Sequence, residues 1–133
     1  RTALYPGVPE TLRALRTAGW RLAVVTNKPG PVTRQILDGL GVLGEFGAVV
    51  GGGDCPVLKP DPAPLHLAAA QLGVTLDAQD WMVGDHVTDL EAGRRAGVRC
   101  CFCRYGFGEA RNAAYECAVD RFDDFFTAAS ALG

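Results

Sequence analysis

Apolar positions along this chain fall into two alternating rhythms. Over residues 8–18 they follow helical spacing, with Val8, Leu12 and Leu15 on one stripe and Gly19 as a stop. Residues 21–26, Arg-Leu-Ala-Val-Val-Thr, form a short and nearly continuous apolar run, as in a strand buried on both faces. Pro31 then opens a second helix at its first turn, and Val32, Ile36, Leu37 and Leu40 supply its core stripe before Gly41. A strand over 46–50 runs out into Gly51-Gly52-Gly53, which lacks dinucleotide-binding spacing and reads as a flexible exit. A proline-rich loop over 55–64 leads to a helix over 65–72, stopped by Gly73. The remaining pattern predicts a strand over 81–83, a helix over 89–96 stopped by Gly97, a strand over 98–105 and a terminal helix over 122–132.

Strands alternating with helices predict an α/β domain whose parallel sheet is covered by helices. There is no internal repeat, low-complexity tract or linker. Open sheets of this kind bind ligands beyond the carboxyl ends of their strands. Thr26, Asn27, Lys59, Asp85 and Asp89 all fall at or after such ends, and that coincidence points to a site.

Composition narrows the function classes. The 133 residues suit one domain, and a 48% apolar, 21% charged chain is ordinary for a globular protein. A formal net charge of −2 provides no basic footprint for nucleic acid, yet leaves a small anionic substrate open, because local charge decides that. No apolar run approaches the roughly 18 residues needed to span a membrane, and no charged-then-apolar signal segment stands at the start. Five cysteines without framework spacing suggest reduced thiols and a cytoplasmic location. Cys100, Cys101 and Cys103 lie in an expected strand, where successive side chains face opposite ways, so they read as buried small apolar residues rather than a metal cluster. Arg1 rather than Met opens the chain, which suggests an end set by cleavage, trimming or incomplete sequencing.

Each chemistry-bearing residue has a plain reading beside a functional one. Thr26-Asn27 can hold a phosphate oxygen through a hydroxyl and backbone N–H groups, or can simply turn the chain. Lys59, set between prolines in Val-Leu-Lys-Pro-Asp-Pro, can present a compact positive charge to a phosphate or be a solvated loop lysine. Asp61 in the same run reads as a turn or capping residue. Asp85 ends an apolar strand and Asp89 follows four residues later. Paired carboxylates there suit a hard cation such as Mg²⁺, although Asp89 or Thr88 can equally cap the helix. His86 either touches substrate or is a polar loop residue.

The ordered set Thr26-Asn27-Lys28, Gly52-Gly53-Asp54, Lys59-Pro60-Asp61-Pro62 and Gly84-Asp85 with Asp89 resembles the haloacid dehalogenase-like phosphatases, within them the phosphoglycolate phosphatase group. Leu4-Tyr5-Pro6-Gly7-Val8 and Arg104-Tyr105-Gly106-Phe107-Gly108 add to the likeness, which covers roughly residues 4–108. The resemblance implies a Rossmann-like three-layer αβα sandwich, with residues 1–133 as a single partial catalytic core lacking the family's cap domain. It implies that Thr26, with Asn27, binds the substrate phosphate, that Lys59 steadies the phosphoryl group and that Asp85 and Asp89 hold Mg²⁺. It also implies a small phosphorylated metabolite as partner, and chemistry through a covalent aspartyl-phosphate that water hydrolyses.

Two departures qualify the likeness. The family usually has Ser where His86 stands. Its first motif, Asp-x-Asp after a strand, is absent, for no Asp precedes Asp38. The chain as given is therefore expected to be an inactive fragment. In the resembling family the first-motif strand lies between those matched by 21–26 and 81–84, so a gap or a direct pairing is expected there. Alternatives are a haloacid dehalogenase, which would not need the paired metal acids, and a non-catalytic phosphate- or metal-binding remnant. A receiver-type signalling domain is disfavoured, because its acidic residues precede its lysine.

Overall fold

The structure is a computed structural model and describes residues 7–104, 106, 108–111, 113–121, 124–125 and 127–128. Its elements are α1 (Val8–Thr17), β1 (Ala23–Pro29), α2 (Gly30–Gly39), a 3₁₀ turn (Leu43–Glu45), β2 (Ala48–Gly52), α3 (Ala63–Leu72), β3 (Trp81–Gly84), α4 (Val87–Ala96), β4 (Arg99–Cys103) and β5 (Cys117–Val119). Pro9 and Pro31 stand in the first turns of α1 and α2, where no intrahelical N–H is needed. Gly73 and Gly97, with φ of 74° and 80°, end α3 and α4 in the left-handed conformation.

Among the described residues every strand pair is parallel: β1 with β2, β3 with β4, and β4 with β5. The crossover from β1 to β2 runs opposite to that from β2 to β3. Right-handed crossovers then put α2 on one face and α3 on the other. Helix α4 continues in the direction of α3 and packs beside it, while α1 and α2 meet through the 3₁₀ turn. The result is the expected helix–sheet–helix layering.

The sheet is divided. Among the described residues β1 pairs with β2, and β3 pairs with β4, but β1 and β3 do not pair. Between them lies a cavity of about 750 Å³, lined by Leu22–Val25 on one side and Trp81–Asp85 on the other, with α1 and α3 side chains closing its faces. The gap, rather than a direct pairing, is what these strands adopt. It explains a difference from the sequence reading. The strand over 21–26 was expected to be buried on both faces, yet residues 23–25 are only half-buried, as are 81–83 across the gap, because one edge of each strand faces the cavity.

Other differences have local causes. Strand β1 begins two residues later than expected and runs on to Pro29; its register with β2 breaks between Val25 and Pro29. In α2 the expected core residue Val32 is exposed and Thr33 is buried instead, its hydroxyl donating to Pro29 O at 2.9 Å. Gly51 and Gly52 belong to β2; a Cβ on Gly51 would overlap the backbone of Gly30 at the start of α2, and one on Gly52 the Asn27 carbonyl of β1. Close backbone approach therefore accounts for these glycines better than flexibility does. Strand β5 was not foreseen. Of the expected terminal helix, residues 124–125 and 127–128 are helical and the rest lie outside the described residues.

The cysteines divide as strand alternation requires. Cys101 and Cys103 pack with Leu15, Val119 and Phe125, whereas Cys100 packs with Leu90 and Ala113 on the other face. Burial pushes the Cys100 thiol from 9.0 up to about 11, and raises Cys101 as well. Raised folded-state values favour the protonated thiol in the fold. Their stabilisation is whole below pH 9 and is lost as pH rises toward 11. The melting temperature of the chain should therefore fall between pH 8.5 and 10.5, and fall less steeply in Cys100→Ala. Equal pH slopes for the two proteins would contradict this.

Candidate functional site

Strand β3 delivers Asp85 directly from its last residue, Gly84, and α4 starts two residues later. His86 is the N-cap. Its Nδ1 accepts from Thr88 N at 3.2 Å, while Asp89 Oδ2 accepts from His86 N at 3.3 Å and from Asp85 N at 3.2 Å. Asp89 and His86 thus satisfy the orphan donors of the first turn reciprocally.

The other oxygen of Asp89 faces Lys59. Lys59 Nζ donates to Asp89 Oδ1 at 2.5 Å and to Val25 O at 2.7 Å. Only 8% of the Lys59 side chain and 12% of the Asp89 side chain are exposed. Removing either partner from so buried a pair would leave an uncompensated charge, a penalty of about 3–5 kcal/mol. Lys59 is therefore not a solvated loop lysine. It joins the Pro-rich loop to Val25 of β1 and to Asp89 in the first turn of α4.

Asn27 makes a second tie. Its Nδ2 donates to Lys59 O at 3.1 Å, and its Oδ1 accepts from Lys59 N at 3.0 Å. Thr26 Oγ1 accepts from Lys28 N at 3.2 Å within the irregular part of β1. Asp61 Oδ1 accepts from Ala63 N at 2.9 Å, which is the turn role expected of it. Beside the site, Asp54 accepts from Gly51 N and from Arg34 Nη2, and these two bonds hold its carboxyl below the usual carboxylate value.

The structure thus brings together Lys59, Asp85 and Asp89, with Thr26 and Asn27 just past Val25 on the adjoining strand. Val25 and Asp85 both line the cavity, so the charged cluster stands at its carboxyl-end mouth. Sequence reasoning missed three participants. Val25 contributes a backbone carbonyl, which no side-chain pattern reports. Gly106 and Gly108 lie so close to Asp85 and His86 that a Cβ on either would overlap them. Their sequence signal was only the Arg-Tyr-Gly-Phe-Gly run.

The donor set is compatible with Mg²⁺. Among the described residues no three metal-ligating side chains gather. Mg²⁺ is commonly held by one or two carboxylates, completing its shell with waters and phosphate oxygens. Asp85, a carboxylate reaching the cavity mouth, is suited to that, and Asp89 lies one turn away with its oxygens already accepting from Lys59 and the helix start.

Comparison with known proteins bears out the fold class and the family. The chain belongs to the haloacid dehalogenase-like hydrolases, whose family model matches residues 1–97. It is similar to the phosphoglycolate phosphatase of Cereibacter sphaeroides, 43% identical over 109 residues that make up 82% of this chain and 49% of that protein. It is 41% identical to the phosphoglycolate phosphatase of Rhodospirillum rubrum over 131 residues, 98% of this chain and 54% of the relative. The chain spans about half the length of these curated relatives. Among solved structures it resembles a predicted phosphoglycolate phosphatase from Haemophilus somnus, with a TM-score of 0.87 and 34% identity over 94% of this chain and 56% of that one. A hydrolase of the same superfamily from Ehrlichia chaffeensis, at 20% identity and a TM-score of 0.82 over 99% of this chain and 62% of that one, shares the fold.

Proposed function

We propose that the protein carrying this chain is a Mg²⁺-dependent phosphomonoester hydrolase of the cytoplasm, converting 2-phosphoglycolate to glycolate and phosphate. The observation that carries this reading is the bonding of Lys59 to Asp89 and to Val25 O, and of Asp89 to Asp85 N, with Val25 and Asp85 both lining the cavity between β1 and β3. Similarity to phosphoglycolate phosphatases supports the substrate.

In this reading Lys59, held by Val25 O and Asp89, meets the negative charge of the transferring phosphoryl group. The Thr26 hydroxyl and the backbone N–H groups of Thr26 and Asn27 take phosphate oxygens. Asp85 and Asp89 hold Mg²⁺, Asp85 from the cavity side and Asp89 while fixing Lys59. Bound Mg²⁺ supplies Lewis-acid neutralisation of phosphate charge. The nucleophilic carboxylate stands on an extended segment lying in the cavity, because a strand there would end beside Asp85 and Lys59. Residues 1–133 alone then lack the nucleophile.

Incubation with 2-phosphoglycolate and Mg²⁺ tests this. The complete protein should release phosphate and stop on chelation of the metal. Chain 1–133 should form no hydroxylamine-sensitive phosphoenzyme. Robust hydrolysis by chain 1–133 would overturn the nucleophile assignment, and an inert complete protein would overturn the function.

A further inference from the structure

We infer that Asn27 is a positioning residue, which locks the backbone of Lys59 and thereby fixes where its ammonium stands. The inference rests on the reading of Lys59 as the cation that meets phosphate, and assigns Asn27 a task distinct from contact with phosphate.

Two features of the chain leave a place for such a lock. The β1–β2 ladder is regular from Ala23 to Val25 and resumes only at Pro29, so residues 26–28 are spared regular pairing with β2. Lys59 lies in a loop containing Pro56, Pro60 and Pro62, none of which can donate a backbone hydrogen bond. A carboxamide has the donor and acceptor of a peptide group. Asn27 uses both on a single residue, giving to Lys59 O at 3.1 Å and receiving from Lys59 N at 3.0 Å. This reproduces, with one side chain, the two-way pairing that a neighbouring strand would give.

The other end of Lys59 returns to the same strand. Its Nζ bonds Val25 O, two residues before Asn27. One lysine is therefore tied to β1 at its backbone and at its ammonium, and Asp89 sets the direction of the ammonium from α4. Gly52 completes the arrangement. A Cβ there would overlap Asn27 O, so glycine lets β2 lie against the back of Asn27 while its side chain reaches forward to Lys59. A flexible four-carbon stem is immobilised before any ligand arrives, which is the condition for electrostatic stabilisation without reorganisation.

The carboxamide of Asn27 supplies both bonds at once. Ala removes both bonds, and Asp keeps the acceptor for Lys59 N while setting a carboxylate against Lys59 O. Two readouts need no turnover: hydrogen exchange at the Lys59 amide, and acylation of Lys59 by an N-hydroxysuccinimide acetate, followed by mass spectrometry. In Asn27→Ala both rates should rise, by about tenfold for each hydrogen bond lost. In Asn27→Asp the amide should stay protected while acylation rises by an intermediate factor. A cooperative melt establishes that each variant is folded. Wild-type acylation in folded Asn27→Ala, or in Asn27→Asp should the alanine variant not fold, would overturn the inference. Titration of the wild-type chain with inorganic phosphate, read at the Lys59 resonances, tests the underlying reading separately. Faster acylation in Asn27→Ala supports the positioning role whether or not phosphate moves those resonances.

Discussion

Asp85→Asn in the complete protein should reduce Mg²⁺-dependent hydrolysis of 2-phosphoglycolate by about two to three orders of magnitude or more. The amide keeps the shape of the side chain, which matters because Gly106 leaves no spare room against this carboxylate. The negative charge is what disappears. Asp85 lines the cavity mouth, so the loss falls on the place where a metal and phosphate would meet. Asp89 cannot take over freely, since its Oδ1 faces Lys59 and its Oδ2 serves the start of α4. Excess Mg²⁺ should recover little of the rate, and the melting temperature should change little. Near-normal turnover by Asp85→Asn would remove Asp85 from the reaction and with it the metal role proposed for this end of β3.

How much of this was legible in the sequence depends on how local each cause is. Helices α1, α3 and α4 were read to within a few residues, because periodic apolar positions and the stops at Gly19, Gly73 and Gly97 are short-range signals. The end of β1 was misplaced, since Thr26-Asn27-Lys28 looks like a turn and its extended course is set by β2 glycines more than twenty residues away. Strand β5 is three residues, Cys-Ala-Val, too short to carry a period of its own; pairing with Cys101–Cys103 makes it a strand. Among candidate site residues, Lys59 and Asp85 were singled out by residue type and by position at or after strand ends. Their arrangement was not. The Asn27–Lys59 tie spans 32 positions and the Lys59–Asp89 pair 30, and neither is implied by spacing within a motif. For His86, capping geometry rather than composition identifies its place in the fold.

The second large effect concerns the divided sheet. Residues 22–25 and 81–84 are mainly apolar and run beside one cavity of about 750 Å³, and among the described residues β1 and β3 do not pair with each other. A buried strand edge left without partners is costly, about 1–3 kcal/mol for each orphaned donor or acceptor, against about 5–15 kcal/mol of net stability for a domain. Exposed instead, such edges template association with other chains. Purified chain 1–133 should therefore melt at low temperature and associate as its concentration rises. An extended apolar peptide ending in the Asp-x-Asp motif should fill the slot, pair with β1 on one side and β3 on the other, and bring its carboxylates toward Lys59 and Asp85. At a peptide concentration a hundred times its Kd the gain is about 2.7 kcal/mol, which raises the melting temperature by about 10 °C. A scrambled peptide of the same composition should give no shift, because its alternation no longer matches the two faces closed by α1 and α3. The same addition should suppress association, since the free edges are then paired. A monomeric, cooperative melt of chain 1–133 at ordinary mesophilic temperature, unmoved by the motif peptide, would show that the cavity is a finished feature of the fold and not a place for a strand.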